Sequence, residues 1–216
     1  EKGIEVLNTP GASAVSVAEL TIAHMLGVAR FIGRGTCGVK QGKWEKKSLK
    51  GVELYGKTLG IIGIGRIGRE VAKRAYALGM SVIAYDPYVQ SKVHGVEMVD
   101  LDTLLTNADV ITIHVPLTDE TRHMIGEEEF KKMKDGVIIV NTARGGVIDE
   151  TALAKAIKSG KVFGAGLDVY EEEPPTNKEL LELENVTLTP HIGATTKEAM
   201  KKIGREIVDI ITTFGR

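Results

Sequence analysis

The chain has 216 residues, 43% hydrophobic and 26% charged, with a formal net charge of −1; that suits one large soluble domain, or one domain plus a fragment, and gives no electrostatic reason for a nucleic-acid partner. No signal segment and no apolar run long enough to span a bilayer is visible, so no membrane partner is expected. The single Cys37 cannot form an internal disulfide, which favours a reducing, cytoplasmic compartment, and the 25 glycines point to many tight turns or close backbone approaches.

The chain opens at Glu1 without an initiator Met, and a piece of a longer polypeptide is expected. Residues 3–10, GIEVLNTP, read as a short strand ending at Pro10. Ser16-Val17-Ala18-Glu19 has capping-box spacing and opens a long helix over roughly 16–34. Val17, Leu20, His24, Val28 and Phe31 form one stripe of it; Ala18, Ile22, Met25, Ala29 and Ile32 form a second. A helix apolar on two faces is buried on two sides, between subunits or between domains. Thr36 to Tyr55 is polar, lysine-rich and carries the only tryptophan; it reads as an extended arm rather than a packed element. Helix and arm together predict a homodimer.

From Lys57 strands and helices alternate. Strands are expected at Leu59–Gly63, Ser81–Tyr85, Val110–Val115, Gly136–Val140, Val162–Val169 and Val186–Thr189. Helices are expected at Arg66–Leu78, at Leu101–Leu105 entered from Asp100, at Glu127–Met133, and at Glu150–Ser159 with Asp149 as N-cap. A last helix opens at a second capping box, Thr195-x-x-Glu198. Continuous apolar runs such as LGIIG, VITIHV and GVIIVN suit strands covered on both faces. The fold class is therefore α/β, a Rossmann-type doubly wound parallel sheet.

Gly63-Ile64-Gly65-Arg66-Ile67-Gly68 is G-x-G-x-x-G. It follows a buried strand, opens a helix, and is followed by an acid, Asp86, at the end of the next strand. Gly63 permits the tight turn, Gly65 lets a pyrophosphate approach the backbone, and Gly68 lets helix and strand pack closely. The helix N-terminus then offers free N–H groups to phosphates. Asp86 would accept hydrogen bonds from both ribose hydroxyls and repel a 2′-phosphate, so NAD is favoured over NADP. In open α/β sheets ligands bind at the carboxyl ends of strands. There the chain places Asn141-Thr142-Ala143-Arg144-Gly145-Gly146, then Asp168, then Thr189-Pro190-His191-Ile192-Gly193-Ala194.

NTARGGVIDE, GAGLDVYEEEPP and LTPHIGATT, with GIGRIG and YDP, resemble the D-isomer-specific 2-hydroxyacid dehydrogenase family over nearly the whole chain. The resemblance implies an NAD-dependent enzyme whose catalytic group is Arg144, Glu173 and His191. It implies cofactor contacts from Gly63, Gly65, Arg66, Ile67, Gly68 and Asp86, from Val115 and Pro116, from Thr142, Ala143 and Arg144, and from Asp168, His191, Ile192, Gly193 and Ala194. No metal is expected. It further implies that 1–10 is a remnant of a substrate domain, 11–195 the NAD-binding domain, and 196–216 a helix returning toward the substrate domain. The activity implied is oxidation of D-3-phosphoglycerate, in serine biosynthesis. The alternatives are reduction of hydroxypyruvate or glyoxylate and, outside catalysis, an NAD-sensing dimeric co-repressor. Alone, the chain is expected to bind NAD and to be weakly active or inactive.

These residue types suit the chemistry. Oxidising a 2-hydroxy acid removes a hydride from carbon and a proton from oxygen, and a histidine accepts the proton near neutral pH. Arg144 presents a planar fork for a carboxylate or a developing carbonyl oxygen. Glu173 would hydrogen-bond the imidazole and fix its tautomer. It precedes a proline, which restricts its backbone to extended geometry. Glu171 and Glu172 are expected to be solvated turn charges. His24, His94, His114 and His123 are expected to be structural or on the surface, and Cys37, with no base beside it, is no nucleophile.

Overall fold

The computed structural model describes residues 6–9, 11–89 and 91–213. The apolar runs form strands β1 (Thr58–Ile62), β2 (Ser81–Tyr85), β3 (Glu97–Met98), β4 (Val110–Ile113), β5 (Val137–Asn141), β6 (Val162–Leu167) and β7 (Val186–Leu188). They make one sheet in the order β3-β2-β1-β4-β5-β6-β7, every neighbouring pair parallel. The helices are α1 (Ala14–Ala29), α2 (Ile32–Lys40), α3 (Arg66–Ala77), α4 (Leu101–Asn107), α5 (Glu127–Lys132), α6 (Glu150–Lys158), α7 (Lys178–Leu181) and α8 (Lys197–Thr213). One face of the sheet buries Leu104 and Leu105 of α4, Phe130 of α5 and Leu153 of α6. The other buries Met25 and Val28 of α1 with Val71 and Ala75 of α3. Strands β4 and β5 are buried along their whole length, which is why their sequences run apolar without alternation. The strand order reverses between β1 and β4, and this opens a crevice at their carboxyl ends.

Two of the expected caps are present. Asp100 accepts from the Thr103 amide at 2.8 Å and Asp149 from the Ala152 amide at 2.9 Å. The two capping boxes are corrections. Helix α1 starts at Ala14, two residues before Ser16, and the Ser16 hydroxyl instead meets the Thr196 hydroxyl at 2.8 Å. Helix α8 is capped by Thr196, whose hydroxyl accepts from the Ala199 amide at 3.1 Å, and not by Thr195. Strand β3 and helix α7 were not expected; two and four residues are too short to carry a period. Of the strand expected over 3–10, residues 6–9 are irregular and the rest lies outside the described residues.

The long helix and the arm also differ. Phe31 adopts a left-handed backbone, φ 53°, which ends α1; α2 then departs at 66°. The Phe31 ring fills the bend by packing edge-to-face on Phe163 at 5.3 Å. The arm begins as α2, is exposed around Trp44, and then packs: Val52 donates its amide to the Ala29 carbonyl at 2.9 Å and Leu54 is buried. Gly51 makes this possible, because the Ala29 carbonyl occupies the space a Cβ would need. Among the described residues no single helix is long and apolar enough to cross a membrane.

Gly51→Ala should therefore destabilise the domain by about 1–3 kcal/mol through overpacking. A urea midpoint equal to that of the parent chain would show that the arm is not part of the core.

Candidate active site

The glycine loop is shaped by close approaches. Gly63 has φ +92°, and a Cβ there would press on the His114 carbonyl oxygen, 2.8 Å away. The space for a Cβ on Gly68 is taken by the Gly63 carbonyl. At Gly65 nothing lies within 4 Å, so the backbone there faces open space in front of the N-terminus of α3. Asp86 holds this loop from the end of β2. One carboxylate oxygen accepts the Ile64 amide and the other the Tyr88 amide, both at 3.0 Å. Each oxygen keeps a lone pair free for a hydroxyl. An open cradle over glycine, free helix-terminal amides and a carboxylate beside them fit a dinucleotide.

At the end of β5, Asn141 is buried and ties the following loop at both ends. Its side chain accepts from the Ala143 amide at 3.0 Å and donates to the Arg144 carbonyl at 2.9 Å. Gly145 lies directly against the Tyr170 carbonyl, where any Cβ would collide. This contact brings the loop carrying Arg144 onto the turn that carries Glu173. The Arg144 guanidinium is exposed, donates to the Ala143 carbonyl at 2.6 Å, and makes no ion pair among the described residues.

After β6, Asp168 is buried to 1% exposure. It accepts from the Thr189 hydroxyl at 2.6 Å and from the amides of Ile192 and Gly193 at 2.8 Å each. His191, between those donors, has a left-handed backbone, φ 53°. Its Nδ1 meets the two oxygens of Glu173 at 2.8 and 3.1 Å. A carboxylate only accepts, so Nδ1 carries the hydrogen and Nε2 of the neutral ring keeps a lone pair. Tyr170 closes the turn by donating its hydroxyl to the Thr189 carbonyl at 2.9 Å. Burial, and then the charge of Asp168, pushes its phenol up to about 12.

Ile67, Val115, Pro116, Thr142, Ala143, Arg144, Asp168, His191, Gly193 and Ala194 line one cleft of about 470 Å³. Gly63, Gly65, Arg66, Gly68 and Asp86 form the loop at its edge, Glu173 stands behind His191, and Ile192 gives its amide to Asp168. Asn8, Thr9, Ser13, Val17 and His114 also line the cleft and were not expected there. The one signal for them was position: Asn8, Thr9 and Ser13 just before α1, Val17 in its first turn, and His114 just after β4. Glu171 makes contacts that were not expected. It accepts the Glu150 amide at 3.0 Å, lies 3.1 Å from His123 Nε2, and gives its own amide to Glu150 at 2.7 Å. Burial holds the Glu150 carboxyl above its ordinary range, against the hydrogen bond it accepts from the Glu171 amide and with the charges of Glu171 and Glu172 adding to the effect. Glu171 thus stays exposed in its turn, as expected, and also braces that turn against α6. Glu172, which accepts from the Thr176 hydroxyl at 2.7 Å, is exposed as expected.

Comparison with known proteins agrees with this fold. The family model for the D-isomer specific 2-hydroxyacid dehydrogenase NAD binding domain matches residues 22–193. A hydroxypyruvate reductase of Thermotoga maritima is 62% identical over 98% of this chain and 70% of its own length. A D-3-phosphoglycerate dehydrogenase of Methanocaldococcus jannaschii is 55% identical over 98% of this chain, which spans 41% of that protein. The crystal structure of a glyoxylate reductase from Paecilomyes thermophila superposes with a TM-score of 0.92 at 42% identity, over 98% of this chain and 65% of that one.

His114 generates a pH dependence. Among the described residues both its ring nitrogens are enclosed and without a hydrogen-bond partner, as is the Thr112 hydroxyl on the same strand face, and burial pushes the imidazole down to about 3. A folded-state value below the unfolded 6.5 gives stability that is complete above pH 6.5 and is lost as pH falls toward 3. The free energy of unfolding should drop by about 2 kcal/mol between pH 7 and pH 5 from this group. His24, also lowered by burial, acts in the same direction. Urea unfolding of His114→Leu should show a flatter pH dependence; an unchanged slope would assign it to other groups.

Proposed function

We propose, for a chain that belongs to the D-isomer-specific 2-hydroxyacid dehydrogenase family through its NAD-binding domain, a role in NAD-dependent hydride transfer between a D-2-hydroxy acid and its 2-keto acid. The observation that carries this reading is the 2.8 Å pair of His191 and Glu173 at a cleft that also holds Arg144. The amides of the Gly63–Gly68 loop would hold the pyrophosphate and Asp86 the ribose hydroxyls. Val115, Pro116, Thr142, Ala143 and the Ile192–Ala194 turn would flank the nicotinamide half, with Asp168 beside its amide. When bound, the nicotinamide supplies a hydride acceptor. Nε2 of His191 takes the hydroxyl proton in oxidation and returns it in reduction. Glu173 holds the tautomer and faces the positive ring that results. The Arg144 fork holds the substrate carboxylate or carbonyl oxygen.

Oxidation of 3-phosphoglycerate is favoured by the NTPGAS and SVAELT stretches and by the relatives named for that activity. Reduction of hydroxypyruvate is favoured by the 62% identical relative. A substrate panel with the two-domain enzyme carrying this chain separates them. We also assign the exposed Met200, Ile207, Val208 and Ile211 of α8 to contact with the substrate domain. The exposed Ile32, Val39 and Trp44 are assigned to a homodimer interface. Sedimentation showing only monomer at micromolar concentration would refute the latter.

In that enzyme His191→Ala should lower turnover by about 10²–10⁴-fold, the usual worth of a positioned acid/base group. Glu173→Gln should lower it by a smaller factor and Glu172→Gln should leave it unchanged. Glu171→Gln is not a neutral control, because it removes the brace to Glu150 and His123. Normal turnover in Glu173→Gln would overturn the assignment. In this chain alone, Asp86→Ala should weaken NADH binding by roughly tenfold, the worth of one or two hydrogen bonds, and narrow the preference over NADPH. Fluorescence titration with both nucleotides reads the two effects; equal affinities in parent and variant would remove Asp86 from the site.

A further inference from the structure

His24 lies in the middle of α1, buried, and touches none of the cleft. Both of its nitrogens are nonetheless engaged. Nδ1 is 2.8 Å from the Thr187 hydroxyl and Nε2 is 2.9 Å from the Thr189 hydroxyl. The directions of these bonds can be worked out. Thr189 gives its only hydrogen to Asp168, at 2.6 Å. Its oxygen can therefore only accept from His24, so Nε2 of His24 carries a hydrogen. Burial favours the neutral ring, against the opposing charge of Asp168. Nδ1 is then the acceptor, and Thr187 donates to it. The hydrogens run in one sense: Thr187 to His24, His24 to Thr189, Thr189 to Asp168. Asp168 in turn accepts the amides of Ile192 and Gly193, the two residues after His191.

The sheet makes room for this arrangement. Gly166 of β6 lies under the imidazole, and a Cβ there would meet the His24 side chain at 2.6 Å. Gly27, one turn along α1, seats the Thr187 methyl in the same way at 3.3 Å. The ring, both hydroxyls and the two glycines form a built site with no apolar equivalent. An apolar residue of similar size at 24 would leave the Thr189 oxygen without a donor and free that hydroxyl to turn away from Asp168.

We propose that His24 is a positioning residue for His191: by donating to Thr189 it fixes that hydroxyl on Asp168 and so holds the left-handed turn that aims the His191 ring. Directional bonds of this kind reinforce one another in a dry interior. The left-handed backbone of His191 is a conformation that must be held from outside. Asp168 holds it through the backbone and Glu173 through the ring. This inference rests on the reading of His191 as the acid/base group, and its test separates the two.

On the parent chain, imidazole ¹⁵N shifts at pH 7 should show His24 carrying hydrogen on Nε2; a bare Nε2 overturns the proposal without any variant. Amide hydrogen exchange then compares His24→Leu with His24→Gln, whose side-chain amide can replace the Nε2 donor. In the Leu variant the Ile192 and Gly193 amides should exchange about tenfold faster, the effect of losing one hydrogen bond, while β2 amides keep their rates. In the Gln variant both amides should stay near the parent rates. Equal acceleration in Leu and Gln, or acceleration that reaches β2, marks a packing role and overturns the proposal. In the two-domain enzyme His24→Leu should lower kcat about tenfold with substrate KM little changed, and Gln should restore it. If His191→Ala abolishes turnover while His24→Leu does not alter it, positioning by His24 is refuted. If His191→Ala itself retains turnover, the acid/base reading fails, and the exchange data alone decide whether His24 holds the turn.

Discussion

The carboxylate of Asp168 is the interaction on which the site depends. A buried charge is costly unless it is hydrogen-bonded, and this one accepts three donors at 2.6 to 2.8 Å. Hydrogen bonds to a charged acceptor are worth about 1.5–3 kcal/mol each, more than neutral ones. Those donors come from the segment just after β7, so one side chain just after β6 fixes the segment that bears His191. The same charge helps hold Tyr170 as a phenol, and Tyr170 in turn holds the Thr189 carbonyl. The strands supply a rigid floor; Asp168 converts their register into a fixed position for a side chain outside the sheet.

Backbone proximity is the second constraint. Gly63 against His114, Gly68 against Gly63, Gly145 against Tyr170 and Gly166 against His24 each mark a place where a Cβ would displace a neighbour. Gly63 and Gly68 tighten the loop at the reversal point. Gly145 brings the strand-end loops together, so that Arg144, from beyond β5, reaches the cleft beside His191, which Glu173, from beyond β6, backs. Gly65 differs: nothing opposes a Cβ there, and its openness fits a ligand and not a neighbour. Neighbouring glycines in one motif thus serve opposite physical ends, close packing and free space.

Most of the sheet and most helices were legible because the longer strands are largely apolar runs and the longer helices carry a period. The bend after Ala29 was not, since it depends on Phe31 finding Phe163 across the fold. The packed end of the arm was hidden for the same reason: Gly51 and Leu54 meet partners on α1 and in the core beneath it, not in their own stretch. The capping boxes misled because Ser16 is recruited by Thr196, 180 residues away, and local spacing cannot register such a competitor. At the cleft, motif residues could be read from the sequence, whereas His114 and the residues ahead of α1 reach it only through tertiary placement. His24 was legible as buried, but its polar partners on β7 were not.

The run Glu171-Glu172-Glu173 shows how far local sequence can go. Three like charges in a row repel, and a turn holds them only if each finds separate compensation. Glu171 turns inward to the Glu150 amide and His123, Glu172 faces solvent beside Thr176, and Glu173 turns to His191. Their chemistry is identical, so the difference lies in what each meets: an amide at the start of α6, a surface hydroxyl, or an imidazole at the cleft. Glu171 lowers the cost of the turn, and that rigidity lets Glu173 meet the ring at hydrogen-bonding distance. A brace and an imidazole partner two residues apart therefore act on one histidine, the first through the backbone and the second through the ring.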